Sequence, residues 1–221
     1  MMTEINVTPS GFKNRSDLHV ERKVWHVSAV FFIFFCWIAI PYYWVSVGLL
    51  ALSWMLFIPV DILRQKNQVL NYKLTKVLRP IMRGTELNRL AGTTYLLSGV
   101  LLIALIFDHG VVALSLLYLA FADPIASYIG IKYGKDKIFG HKSVQGFIAA
   151  FVVCAFITWF YMTYNHVADH ILIVSLLGGL VGALAELIPI GKIDDNFSMP
   201  VLSSIGLTIL FYFFGFFSLF N

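Results

Sequence analysis

Seven apolar stretches, each near the length a helix needs to cross a bilayer, leave this chain few ways to fold. Roughly 20 mostly apolar residues carry a helix through the hydrocarbon core. Stretches of that kind run at about 24–40, 42–63, 93–107, 111–133, 144–163, 171–190 and 198–218, the third being short. Charged residues make up 13% of the chain, about half their share in a soluble domain. The chain therefore reads as an all-α, polytopic membrane protein of about seven transmembrane helices.

The basic residues give the direction, because lysine and arginine gather in cytoplasmic loops. With the N-terminus in the cytoplasm, one side receives Lys13, Arg15, Arg22 and Lys23, then Arg64, Lys66, Lys73, Lys76, Arg79, Arg83 and Arg89, then Lys132, Lys135, Lys137 and Lys142, and finally Lys192. Those are all 16 lysines and arginines of the chain, so the connections near Pro41, Asp108 and Asn165 hold none. The expected arrangement is seven spans in the cell membrane, N-terminus cytoplasmic and C-terminus outside. The polar first 20 residues are too long for the n-region of a signal peptide and no small-residue cleavage site follows, so the first apolar stretch is expected to be a retained span. Cys36 and Cys154 both fall within spans, which argues against a disulfide framework or a cysteine metal site. Orientation already accounts for the net charge of +4, which gives no reason to expect nucleic acid. With no internal repeat or low-complexity tract, residues 1–221 form a single membrane domain.

The one long polar stretch, 65–89, carries Val69, Leu70, Leu74, Val77, Leu78 and Met82 at helical spacing. It predicts either an amphipathic helix on the cytoplasmic surface, basic face toward the headgroups, or a solvated linker helix.

The fourth span is unusual. It contains Asp123-Pro124, and an ionised Asp within the membrane costs about 2.5 to 3.5 kcal/mol, which marks a functional site by default. Asp123, Ser127, Gly130 and Gly134 share one helical face. Asp suits an N-cap and Pro the first helical position, so a broken or kinked helix restarting at Asp123 is expected. Such breaks are tolerated at membrane depth only in protein or beside a wet cavity. A structural cap with a small-residue packing face is the alternative reading.

The exit from this span, YGKDKIFGHKSVQG, is not a nucleoside-triphosphatase loop, since five residues separate Gly134 from Gly140 and His141 precedes Lys142-Ser143. Its glycines and its Lys135, Lys137 and Lys142 still suit phosphate oxygens, or else anchor the topology. In the first span His26 lies under Arg22 and Lys23, as an anion site or as a packing residue. In the sixth, Gly178 and Gly182 form a packing stripe that leads to Glu186. Asp194, Asp195 and Asn196 then stand at the mouth of the seventh span, as Mg²⁺ ligands or as helix caps. Under the topology above, all these groups open toward the cytoplasm. Carboxylates for a metal, cations and glycines for phosphate, and a surrounding membrane together suggest phosphoryl transfer to a lipid.

The set ERKVWH, ADPIASYIGIKYGK, KSVQG and the Glu186–Pro189 spacing followed by IDDNFSMP resembles the family of CTP-dependent lipid kinases, which includes dolichol kinases, phytol kinases and the yeast-type diacylglycerol kinase. The likeness covers most of residues 20–205, including TELNRLAGTTYLLSG at 85–99. It implies CTP as phosphoryl donor, a divalent metal, and roles for Arg22, Lys23, Asp123 and Gly130. The expected enzyme is a kinase acting on a polyprenol, phytol or diacylglycerol in the cytoplasmic leaflet. In it Asp123, Asp194, Asp195 and Asn196 hold the metal, and Lys142, Arg22, Lys23, His26, Gly130, Gly134, Lys135 and Ser143 hold the nucleotide phosphates. Glu186 or Asp195 is the general base. A phosphatidate cytidylyltransferase-like enzyme is the alternative, although its His-Gly-Gly and Asp-Arg-x-Asp signature is missing. A transporter would need carboxylates reachable from both sides.

Overall fold

The computed structural model describes residues 20–140, 142–167, 169–191 and 193–216. Lys13, Arg15, Lys192 and the last residues of the seventh stretch, on which part of the topology reading rests, lie outside the described residues. The helices are α1 (Val20–Ala39), α2 (Tyr43–Lys66), α3 (Gln68–Leu78), α4 (Gly92–Ile106), α5 (His109–Leu117), α6 (Asp123–Lys132), α7 (Val144–Tyr164), α8 (Ile171–Leu187) and α9 (Asp195–Phe214). A small antiparallel hairpin, β1 (Lys137–Phe139) with β2 (Lys142–Ser143), joins α6 to α7. Apart from it the architecture is all-α. Five described helices are long and apolar enough to cross a membrane, and α4 and α8 are apolar but shorter. This is a polytopic membrane protein.

The expected break at Asp123 is instead a π-helical turn. Helices α5 and α6 are joined through Tyr118–Ala122 into one helix, His109–Lys132. Pro124 cannot donate to a carbonyl of the preceding turn, and the wider turn absorbs that gap without ending the helix. Asp123 is itself helical, at φ −58° and ψ −54°, so it is not an extended N-cap. This helix is the centre of the bundle, largely buried where α1 is largely exposed.

Small residues bring the other helices close. A Cβ on Gly178 would stand 2.7 Å from Thr158 Oγ1, and one on Gly182 would stand 2.8 Å from Cys154 Cβ, so the predicted glycine stripe seats α8 on α7. Gly99 likewise lets α4 approach the backbone of α9, where its Cβ would lie 3.0 Å from Phe197 Cα.

Helix α3 turns a polar face into the protein. Its buried residues are polar, Asn71 and Thr75, while Val69 and Val77 are exposed. The inward face is polar because it meets the Arg64 guanidinium, to which Asn71 Oδ1 accepts at 3.0 Å. Asn67 makes the corner: its backbone closes α2 on Leu63, and its side chain accepts from the amides of Val69 and Leu70.

The two ends of the bundle differ in chemistry. At one end Trp37 Nε1 donates to the His109 carbonyl at 3.0 Å, their rings stack 5.0 Å apart, and the Tyr43 hydroxyl donates to the Ala104 carbonyl. The opposite end gathers the start of α1, the end of α2, the start of α4 and the ends or starts of α6 to α9. The ionisable groups meet there.

Candidate active site

A polar cavity of about 650 Å³ occupies that end. Helix α1 contributes Arg22, Lys23 and His26 to its wall, α6 contributes Asp123, Ser127 and Gly130, and the start of α7 follows Lys142 and Ser143 into it. Glu186 from α8, Asp194 to Asn196 at the head of α9, and Arg83 and Glu86 from the segment before α4 complete it. Asp123 lies nine residues before the end of α6, about 14 Å down the helix at 1.5 Å per residue.

Lys142 is the centre of the charge arrangement. Its Nζ donates to Glu186 Oε1 at 2.5 Å and stands 3.2 Å from Asp195 Oδ2. Burial works against the ammonium, but the Asp195, Glu186 and Asp123 carboxylates outweigh it and hold its pKa above the ordinary lysine value. The local fold explains the position. Ser143 caps α7, its Oγ accepting from the Gly146 amide at 3.2 Å. Gly130 and Gly134 give the room for this: a Cβ on Gly130 would lie 3.1 Å from Ser143 Oγ, and one on Gly134 would collide with the Gly130 carbonyl and with Ser143.

On α1, His26 meets the π turn and Lys23 the start of α6. Lys23 Nζ donates to the Pro124 carbonyl at 3.1 Å and to Ser127 Oγ at 3.0 Å. His26 Nε2 meets the Leu119 carbonyl at 3.0 Å, so that nitrogen carries the hydrogen, and it stands 3.8 Å from Asp123 Oδ2. The carbonyl that the irregular turn offers is satisfied by a neighbouring helix. Arg22 Nη1 donates to the Ile81 carbonyl at 2.9 Å and lies 2.7 Å from Glu86 Oε1.

Eleven of the sequence-derived site residues thus line one cavity: Arg22, Lys23, His26, Asp123, Gly130, Lys142, Ser143, Glu186, Asp194, Asp195 and Asn196. Gly134 lies beneath it as a packing position, and Lys135 is exposed outside the lining. Among the described residues no three His, Cys, Asp or Glu gather as a ready metal cage. Asp194 caps α9 through the Asn196 amide and stands 3.8 Å from Arg83, while Asn196 Nδ2 donates to the Gly92 carbonyl. Mg²⁺ usually takes only one or two protein carboxylates together with substrate phosphates and water. Asp123 and Asp195, partly exposed on the wall, have the donor chemistry for that mode.

Sequence reasoning passed over Asp61, Arg64 and Glu86. Asp61 and Arg64 are almost fully buried and paired at 2.6 Å. Arg64 also donates to the carbonyls of Glu86 at 3.0 Å and Arg89 at 2.7 Å, while Asp61 Oδ2 accepts from the Ala91 amide and the Thr94 hydroxyl. This cluster pins the 86–91 segment, and hence Glu86, against α2. The signal was the Asp-x-x-Arg spacing inside an apolar helix, where Arg64 had been counted only as a topology charge.

No family model matches the chain, and no solved structure does. Over 207 residues the chain is 31% identical to the CTP-dependent diacylglycerol kinase 1 of Saccharomyces cerevisiae, covering 84% of this chain and 71% of that one. The protein of the same name in Eremothecium gossypii is 32% identical over 208 residues, covering 84% of this chain and 65% of that one. An uncharacterized protein of Rickettsia prowazekii is 29% identical over 208 residues, covering 89% of this chain and 96% of that one.

Proposed function

The chain belongs to the family of CTP-dependent lipid kinases, and from that premise we propose that it transfers the γ-phosphoryl of CTP to the hydroxyl of a lipid alcohol. Diacylglycerol is the first acceptor to consider, because it stands in the names of the relatives, and isoprenoid alcohols of the polyprenol or phytol type are the second. The observation that carries the reading is Lys142, held between Glu186 and Asp195 in a cavity that also receives Arg22, Lys23 and Asp123.

Phosphoryl transfer is mostly positioning and charge stabilisation. Arg22, Lys23 and Lys142 supply cations to the triphosphate. A phosphate oxygen arriving at Lys142 competes with Glu186 for its hydrogens, which releases the Glu186 carboxylate toward the incoming hydroxyl. The hydroxyl oxygen then attacks the γ-phosphorus, the bond to the β–γ bridging oxygen breaks, CDP leaves with that electron pair, and the hydroxyl proton passes to Glu186 or Asp195. Asp123 and Asp195 are the carboxylates that would hold a divalent cation on the triphosphate, whose chemistry is to neutralise its charge.

On this reading the five long and two shorter apolar helices are seven spans of the cell membrane. The N-terminus is cytoplasmic, the C-terminus outside, and the cavity opens to the cytosol that supplies CTP. The test of the acceptor is a panel of diacylglycerol, polyprenol and phytol offered to the purified protein with labelled CTP and Mg²⁺. Label in at least one phosphorylated lipid is expected, and none in any lipid alcohol would defeat the proposal.

A further inference from the structure

We infer that an apolar groove between α1, α2, α3 and the start of α4 holds the hydrocarbon chain of the acceptor, and that Glu86 at its inner end receives the acceptor hydroxyl. The inference rests on the kinase reading and adds the site of the second substrate.

The groove, of about 150 Å³, is separate from the polar cavity along most of its length. Its outer lip carries Trp25 of α1 and Val60 of α2, 51% and 43% exposed, as apolar side chains on membrane-spanning helices would be toward lipid. Its floor reaches Met82 and Leu96, each 4% exposed. The lining is therefore exposed at its lip and closed along its floor. The four polar residues Arg22, His26, Glu86 and Asn196 line both the groove and the polar cavity. An occupant that is hydrocarbon along most of its length and polar at its tip fits this space, with its tip delivered to the wall that carries Lys23 and Asp123. A nucleotide does not, because it would set phosphates against Trp25, Phe57 and Leu78.

Glu86 gives the second, independent observation. It is buried, and its Oε1, 2.7 Å from Arg22 Nη1, has its charge met there but accepts no aligned hydrogen bond. An ion-paired carboxylate oxygen that accepts no aligned hydrogen bond has acceptor capacity to spare. A lipid hydroxyl entering along the groove is a donor of the right kind, and it leaves Glu86 for the polar wall before its proton passes to Glu186 or Asp195. The Glu86 backbone is also well anchored, since Arg64 grips its carbonyl at 3.0 Å.

The experiment uses the whole protein in lipid nanodiscs with a long-chain alcohol bearing a diazirine in its chain. After photolysis, label is expected on Met82 and Leu96, and unlabelled alcohol should compete it away. Label confined to outward-facing residues such as Leu105 and Phe156, and not competed, would show surrounding membrane lipid only and overturn the inference. Turnover gives a second readout. Ala29→Phe, and Val60→Phe at the exposed lip should the first variant fold poorly, would raise KM for the lipid by about tenfold, the scale set by steric misfit in an apolar pocket. KM for CTP should stay unchanged. Glu86→Gln should lower kcat/KM for the lipid with the same independence from CTP, and parallel rises in both KM values would overturn the assignment. Occupancy is read without turnover, so the two proposals fail separately. Competed label on Met82 without phosphoryl transfer supports the groove and defeats the kinase, whereas transfer with uncompeted surface label does the reverse.

Discussion

Replacing Lys142 by Met removes the cation that stands 2.5 Å from Glu186 and 3.2 Å from Asp195. Two effects follow, and they can be separated. Glu186 has a side chain only 3% exposed, so it becomes an uncompensated buried carboxylate. Breaking such a pair from one side costs about 3–5 kcal/mol. Lys142 is itself 20% exposed, which favours the lower end, about 3 kcal/mol. For a chain of this size that corresponds to roughly 6–12 °C in Tm. Loss of the charge at the transferred phosphoryl should separately lower kcat by about 10²-fold, by analogy with removal of one oxyanion-hole donor. The double variant Lys142→Met/Glu186→Gln removes both charges, so it should regain more than half of the lost Tm while kcat stays low. Thermal unfolding of the detergent-solubilised protein, run beside transfer of label from CTP, reads both quantities. If activity returns together with stability, the pair is a structural staple and the catalytic reasoning is refuted.

Other perturbations probe separate links. Asp123→Asn should fold and purify, because Asp123 makes no capping hydrogen bond, yet its activity should fall by at least about 10²-fold; near-normal transfer across a range of Mg²⁺ concentrations would reduce Asp123 to a packing residue. Arg64→Met strands the buried Asp61 carboxylate and should cost about 3–5 kcal/mol, seen as a lowered Tm; an unchanged Tm would mean the 86–91 segment is held by other contacts. In a background lacking Cys36 and Cys154, a cysteine at Asn165 should react with an impermeant thiol reagent applied outside intact cells and one at Asn67 should not, and the reverse pattern would invert the proposed orientation.

The helices were the most legible part of the chain, since the bilayer imposes a length and an apolar composition that any reader can count. The seven predicted stretches meet α1, α2, α4, the His109–Lys132 helix, α7, α8 and α9 with shifts of a few residues at most ends. The glycine stripe before Glu186 was legible for a similar reason, because only close packing on α7 gives Gly178 and Gly182 a use. The π turn was not. Asp-Pro is compatible with a break or with a widened turn, and the carbonyl contacts made by Lys23 and His26 arise from a helix about 100 positions away in the chain. Which face of α3 meets the protein was not legible, because apolar spacing alone does not say it, and the Arg64 guanidinium draws Asn71 and its polar face inward. The convergence of Lys142 with Glu186 and Asp195 was readable only as a shared side of the membrane, never as a contact. Glu86 was legible only as part of TELNRLAGTTYLLSG and with no role, since its placement depends on the Asp61–Arg64 pair.

The central claim is that the terminal phosphoryl of CTP reaches a lipid hydroxyl, and the position of the label tests it most directly. A lipid kinase breaks the β–γ bridge and releases CDP, whereas a cytidylyltransferase directs a lipid phosphate at the α-phosphorus and releases pyrophosphate. With γ-labelled CTP, Mg²⁺ and diacylglycerol or a polyprenol, label should enter the lipid phase, while α-labelled CTP should leave its label in the water phase. Label from the α position appearing in lipid when phosphatidate is the acceptor, with none from the γ position, would contradict the account.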